Sequence, residues 1–233
     1  MDLRGRFKYI FFDADDTLWE NERYFRAAED KFAALLSDYT SPEGVQQMLW
    51  QKQEDNIPLF GYGSKTYMIG MTDAALDLCG GILPENIYYG IKKIITDLAF
   101  HELEIIEGVE ETLKALQGHY TLIVATKGDL TEQMGKFRSS GLAKYFHHCE
   151  VMENKDEKNY LELIAKHDIR PEELLMIDDM KLGCMMAKSL GVPTAFAGWS
   201  KADFPELTQE MRSICDHSFD SPSDLEKFLF NMG

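Results

Sequence analysis

Tyr9-Ile10-Phe11-Phe12-Asp13-Ala14-Asp15-Asp16-Thr17-Leu18-Trp19 sets three carboxylates directly behind an apolar, aromatic run. From Phe7 to Phe12 only Lys8 interrupts the run, a pattern that suits a strand covered on both faces, as in a parallel sheet. The acids then fall where the strand ends and side chains regain solvent. With side chains alternating at period two, Asp13 and Asp15 are expected to share a face near the carboxyl end of that strand. Two carboxylates about 4 Å apart repel by about 4 kcal/mol at an effective dielectric of about 20. Such a pair needs a cation, a shared proton or a phosphate-bound metal, so the cluster points to Mg²⁺ and phosphoryl chemistry. Asp15, Asp16 and Thr17 also suit the cap of a turn or of a helix start, and the choice falls to partners further along the chain.

The 233 residues can hold one large domain or a core domain with a smaller insert, and a hydrophobic content of 45% permits a real core. Acidic residues outnumber basic ones 40 to 24, a formal charge of −16, which opposes nucleic-acid and anionic-membrane partners. A small anionic substrate stays compatible, because a few placed cations reverse the local field. Cys79, Cys149, Cys184 and Cys215 form no C-x-x-C pair and have no histidine at ligand spacing. His101, His119, His147, His148, His167 and His217 show no ligand spacing or strand-end placement either. The amino terminus lacks an apolar signal core, and no apolar run of about 18 residues occurs. The expectation is a reduced, soluble, cytoplasmic protein.

Strand-like runs recur at Tyr120 to Ala125, Phe146 to Met152, Leu174 to Ile177 and Val192 to Ala197. Between them Val109, Leu113 and Leu116, and then Leu161, Ile164 and Ala165, repeat at helical spacing. Strand and helix in alternation predict an α/β fold, a doubly wound, Rossmann-like parallel sheet. Residues 20–100 break the rhythm. They contain no convincing strand, and Ser41-Pro42-Glu43 and Pro84-Glu85 read as helix starts. The predicted division is a catalytic core of residues 1–19 and 101–233 with an inserted helical cap of residues 20–100. The tail beyond Gly198 is expected to add one more helix, near Ser223 to Phe230.

Ligands of open parallel sheets sit at the carboxyl ends of the strands. There the first strand offers Asp13 and Asp15, the second Thr126-Lys127-Gly128, and a later one Asp178-Asp179, while Lys155 follows another. This order of D-x-D-x-T, Thr, Lys and acidic pair resembles the haloacid dehalogenase-like hydrolase superfamily over essentially the whole chain, with the insert where that superfamily carries a cap. The resemblance implies a Mg²⁺-dependent phosphatase with Asp13 as nucleophile, forming an aspartyl-phosphate, and Asp15 as general acid and base. It further implies Thr126 and Lys155 as the groups that bind and neutralise the phosphoryl oxygens. The metal would be held by the Asp13 carboxylate, the Asp15 backbone carbonyl and Asp179, with Asp178 beside it or as an alternative ligand.

Some choices stay open at this level. Lys158 competes with Lys155, since both lie ahead of a helix, and Thr126 also suits a strand-end turn before Gly128. Two departures from the family pattern stand out: Gly183-Cys184 follows the acidic pair where many relatives carry another acid, and Lys127 follows the Thr where many carry a small or amide residue. Lys127 could add a cation to the phosphate pocket. Dehalogenating relatives lack an acid at the Asp15 position because a halide needs no proton, which favours hydrolysis of a phosphomonoester. A sugar phosphomutase using the same chemistry is the enzymatic alternative, and a receiver-like or non-catalytic Mg²⁺- and phosphate-binding module the non-enzymatic one. The substrate is expected to be a small phosphorylated metabolite selected by the cap, where Tyr62 and Lys65, in Gly61-Tyr62-Gly63-Ser64-Lys65, could stack on a ring and meet an anion. Trp19 and Asn21 are hinge, pocket or packing candidates.

Overall fold

The computed structural model describes residues 6–199 and 205–230. In chain order these form β1 (Tyr9–Phe12), α1 (Glu22–Leu35), α2 (Pro42–Phe60), α3 (Ser64–Leu78), α4 (Glu85–Ala99) and α5 (Val109–Leu116). Then come β2 (Thr121–Lys127), α6 (Leu130–Ser139), β3 (His148–Met152), α7 (Glu157–Lys166), β4 (Leu174–Asp178) and α8 (Lys181–Ser189). The chain closes with β5 (Thr194–Ala197), α9 (Pro205–Ile214), β6 (His217–Phe219) and α10 (Pro222–Phe230). Two compact units result: Met1–Glu20 with Leu103–Gly233, and Asn21–Glu102.

The first unit is built on a parallel sheet of order β3-β2-β1-β4-β5-β6. Tyr9 to Phe12 pair with Thr121 to Val124 on one side and with Leu174 to Ile177 on the other. Period-two alternation sorts the strand side chains into two apolar layers. Ile10, Phe12, Leu122, Val124, Leu175 and Ile177 pack on one face of the sheet, and Phe11, Ile123, Ala125, Leu174 and Met176 on the other. Both faces are therefore dry, which is why the strands read as unbroken apolar runs. The chain lays β2 and β3 on one side of β1 and then crosses to β4 on the other, so the strand order reverses between β1 and β4, where open sheets bind ligands.

Beyond Gly198 the tail holds α9 and β6 as well as the expected helix, here α10. His217–Phe219 has too few residues and too little apolar content to register as a strand in sequence, and it joins the sheet only through the edge of β5. The second unit is helical throughout, with Phe32, Leu36, Leu49, Met71 and Ile91 in its core. Its local signals read as anticipated. Ser41 Oγ accepts from Gly44 N at 3.3 Å with Pro42 in the first turn of α2.

Candidate active site

Asp13 is the first residue beyond β1, and its backbone N–H donates to the Ile177 carbonyl of β4 at 2.9 Å, so the sheet ladder fixes where its side chain starts. Lys155 lies between β3 and α7. Asn154 Oδ1 accepts from its backbone N–H at 2.9 Å, and Asp156 caps the helix that follows by accepting from Asn159 N. The Lys155 ammonium is 2.7 Å from Asp13 Oδ1 and 2.6 Å from Asp178 Oδ2, and only 2% of the residue is exposed. Burial by itself disfavours that charge, but the carboxylates of Asp13 and Asp178 outweigh it and hold the lysine pKa well above its ordinary value. Lys158, the competing lysine, is an exposed side chain 3.8 Å from Glu162 on the outside of α7.

Asp178 ends β4 and is wholly buried. Its Oδ2 receives Lys155 and its Oδ1 accepts from Met180 N at 2.8 Å, which ties down the start of α8. Burial pushes its pKa up to about 6, against the pull of Lys155. Asp13, Asp178 and Asp179 each bring a carboxylate oxygen within 4.8 Å of the others, and all three are buried. Three buried acids and one buried ammonium leave an excess of negative charge here. An all-oxygen, anionic donor set of this kind fits a hard divalent cation such as Mg²⁺, and each carboxylate oxygen retains lone pairs beyond the bonds named.

Gly183, in the first turn of α8, lies against the ion pair. A Cβ there would fall 1.8 Å from Asp178 Oδ2 and 3.1 Å from Lys155 Cδ. Position 183 therefore has no room for an acid or any other side chain: the Lys155–Asp178 pair already fills the space it would need.

Asp15 takes a different set of partners. Its Oδ1 accepts from Trp19 Nε1 at 2.7 Å and from Lys136 Nζ at 2.9 Å, and its Oδ2 accepts from Gln133 Nε2 at 2.8 Å. Burial raises its pKa, yet the Lys136 charge and the three hydrogen bonds prevail, and the group is held below the usual aspartate value. Its carboxylate therefore stands apart from the acidic group of Asp13, Asp178 and Asp179. The metal ligand expected of Asp15 is its backbone carbonyl, and its carboxylate is not part of the acidic group. The turn that presents it is tight: Asp16 takes a φ of 57°, its N–H donates to the Trp19 carbonyl, and Leu18 N donates to Ala14 O. Aspartate is among the few residues that tolerate the left-handed region. Trp19 is fully buried in the core as well as bonded to Asp15.

Thr126 is buried in the last turn of the β2 ladder, paired in register with Val151, and Lys127, half-buried, ends that strand. Tyr62 and Lys65 belong to the helical unit, Tyr62 in the turn between α2 and α3 and Lys65 in the first turn of α3. Gln133 and Lys136 are the site residues that sequence reasoning missed. Both are buried, although on a helix read from sequence they look like a solvent-facing pair three residues apart.

The family follows from this frame and from sequence together. A family model for haloacid dehalogenase-like hydrolases matches residues 7–191, and the chain belongs to that family. It is thus a hydrolase. Among solved structures it is similar to a haloacid dehalogenase-like family hydrolase from Xanthomonas campestris, at 29% identity over 89% of this chain and 95% of that one, with a TM-score of 0.78. It is also similar to a predicted phosphoglycolate phosphatase from Haemophilus somnus, at 20% identity over 95% and 97% of the two chains, TM-score 0.61. A third likeness is to L-2-haloacid dehalogenase from Xanthobacter autotrophicus, at 15% identity over 97% and 100%, TM-score 0.67. The last two establish a shared fold and nothing finer. No curated protein matches the chain. Among the described residues no helix is long and apolar enough to cross a membrane.

Proposed function

We propose that this hydrolase cleaves a phosphomonoester of a small metabolite in a Mg²⁺-dependent reaction that passes through an aspartyl-phosphate on Asp13. The observation that carries the reading is the buried group of Asp13, Lys155, Asp178 and Asp179, with the Lys155 ammonium 2.7 Å from Asp13 Oδ1. A dianionic phosphate cannot approach bare carboxylates without fixed positive charge beside them. Asp13, Asp178 and Asp179, with the Asp15 carbonyl, would hold Mg²⁺, which would supply that charge. Lys155, 2.7 Å from Asp13 Oδ1, steadies charge as the Asp13 oxygen attacks phosphorus. Thr126 donates its hydroxyl to a phosphoryl oxygen, and Lys127 adds positive potential at the end of β2.

Asp15 selects phosphoester cleavage over dehalogenation, whose halide leaves without a proton. The structural neighbours include a dehalogenase and a predicted phosphatase at identities that speak only to fold, so the choice rests on this side chain. Its ionised state, held by Lys136, Gln133 and Trp19, is the form that takes a proton from water when the aspartyl-phosphate is hydrolysed. For the first step the same carboxyl must carry a proton to the leaving oxygen. The incoming dianion favours this, because nearby negative charge raises a carboxyl pKa.

The test is phosphate release from an aryl phosphate and a panel of sugar phosphates and nucleoside monophosphates, with Mg²⁺ or with EDTA, beside halide release from 2-haloacids. Turnover of esters that needs Mg²⁺ and disappears in Asp13→Asn is the expected result. Halide release without phosphatase activity overturns the reading, and phosphate retained on an isomerised sugar replaces it with a mutase.

A further inference from the structure

The two histidines that carry the inference lie far apart in sequence. His148 and Glu150 sit at i and i+2 on edge strand β3, so they point to one face, the face where Met152 packs with Tyr160, Leu163 and Ile164 of α7. His147 faces otherwise, with its Nδ1 accepting from Leu122 N at 3.2 Å. The end of α7 then brings in His167, whose Nε2 is 2.8 Å from Glu150 Oε1 and whose ring centroid is 4.6 Å from that of His148. One ligand atom from each of His148, Glu150 and His167 lies within 4.8 Å of the others. The absence of ligand spacing among the histidines in sequence is thus corrected by the fold: the β3-to-α7 crossover does what a short motif does elsewhere.

We propose that His148, Glu150 and His167 form a metal site separate from the acidic group at Asp13, and that it takes a borderline divalent cation such as Zn²⁺, Co²⁺ or Ni²⁺. Two imidazoles and one carboxylate make a donor set that such ions prefer, whereas Mg²⁺ favours oxygen alone. The site lies on the outer edge of the sheet with His148 exposed, which leaves coordination positions to water. Without metal, the Lys166 ammonium stands in for the cation, at 2.8 and 2.7 Å from the two Glu150 oxygens. Its side chain is 59% exposed, so it withdraws into solvent at little cost when a metal arrives. Lys166 is therefore a competitor of the metal, which sets this arrangement apart from an ordinary salt bridge.

The experiment is a Co²⁺ and Zn²⁺ titration of the full chain, stripped of metal and then held in excess Mg²⁺ so that the acidic group is occupied. Visible Co²⁺ absorption and competition with a chromophoric chelator give stoichiometry and affinity. One equivalent is expected to bind, at least tenfold more weakly in His148→Ala and in His167→Gln, and severalfold more tightly in Lys166→Met. His148 is exposed, so its substitution leaves folding intact. Unchanged binding in both histidine variants, or no tightening in Lys166→Met, overturns the proposal.

Discussion

Gly183→Ala tests how closely the ion pair of the candidate site is packed. The new Cβ would fall 1.8 Å from Asp178 Oδ2 and 2.7 Å from its Cγ, far inside contact distance. Asp178 has nowhere to go. It is fully buried, and its two oxygens are committed to Lys155 Nζ at 2.6 Å and Met180 N at 2.8 Å. Relief therefore requires α8 to shift or the Lys155–Asp178 pair to open. Opening one arm of a buried pair costs about 3 kcal/mol, at the low end of the range because Lys155 keeps Asp13. For a chain of this size that is a fall in Tm of roughly 6–12 °C. Gly135→Ala supplies the control, since Gly135 lies within α6 and a Cβ there meets nothing within 4 Å. It should be neutral or stabilise by about 0.4–1 kcal/mol. Calorimetry and turnover measured on both variants decide the matter. A Gly183→Ala protein that melts within about 2 °C of wild type and retains full turnover would refute the claim that the ion pair excludes a side chain here.

Other outcomes follow from the same geometry. Lys155→Met should lower turnover about 10²–10³-fold by removing the fixed charge beside Asp13, and steady-state rates with saturating Mg²⁺ check it. Asp178, with a folded pKa of about 6 against an ordinary 3.8, binds its proton more tightly folded than unfolded. Its contribution to stability is therefore full below pH 3.8 and is lost as pH rises through 6. In urea titrations of the metal-free protein, Asp178→Asn should remove that part of the pH dependence, and an identical slope in both proteins would contradict it. Lys136→Met should raise the Asp15 pKa, since Lys136 is the foremost of the groups that lower it. Hydrolysis of alkyl esters, which need a proton on the leaving oxygen, should then respond differently from that of activated aryl esters. Equal effects on both substrate classes would detach Lys136 from Asp15. Ser41→Ala should cost about 0.5–1 kcal/mol through loss of the cap of α2, read from urea midpoints.

What could be read in advance was whatever depends on local pattern. β1, β2 and β4 are buried on both faces, so their apolar runs were plain, and the acids at the ends of β1 and β4 were visible because they break those runs. Ser41 and Pro42 marked α2 through cap chemistry that needs no tertiary context. Gln133 and Lys136 were hidden, because a polar pair on a helix reads as solvent-facing unless a buried carboxylate is known to wait opposite. β6 was hidden because three residues carry no period. His148 and His167 were hidden because the turn of α7 joins them, not their spacing. Gly183 was noticed as a missing acid, but the absence of room beside Asp178 exists only in three dimensions.

The placement of β1 also governs how the molecule must assemble. Asp13 and Asp15 emerge early in the chain, yet Tyr9 finds its sheet partners only at Thr121 and at Leu174. Until both segments have been synthesised and have docked, the central strand has no ladder, and an apolar, β-prone segment waits unpaired. Non-local pairing of this kind is slow and leaves a chain open to aggregation while it lasts. The helices of residues 22–99, by contrast, rest on neighbours close in sequence and can form while the strand waits. The order of synthesis thus runs opposite to the order of assembly: the carboxylates of Asp13 and Asp15 come first and gain their setting late.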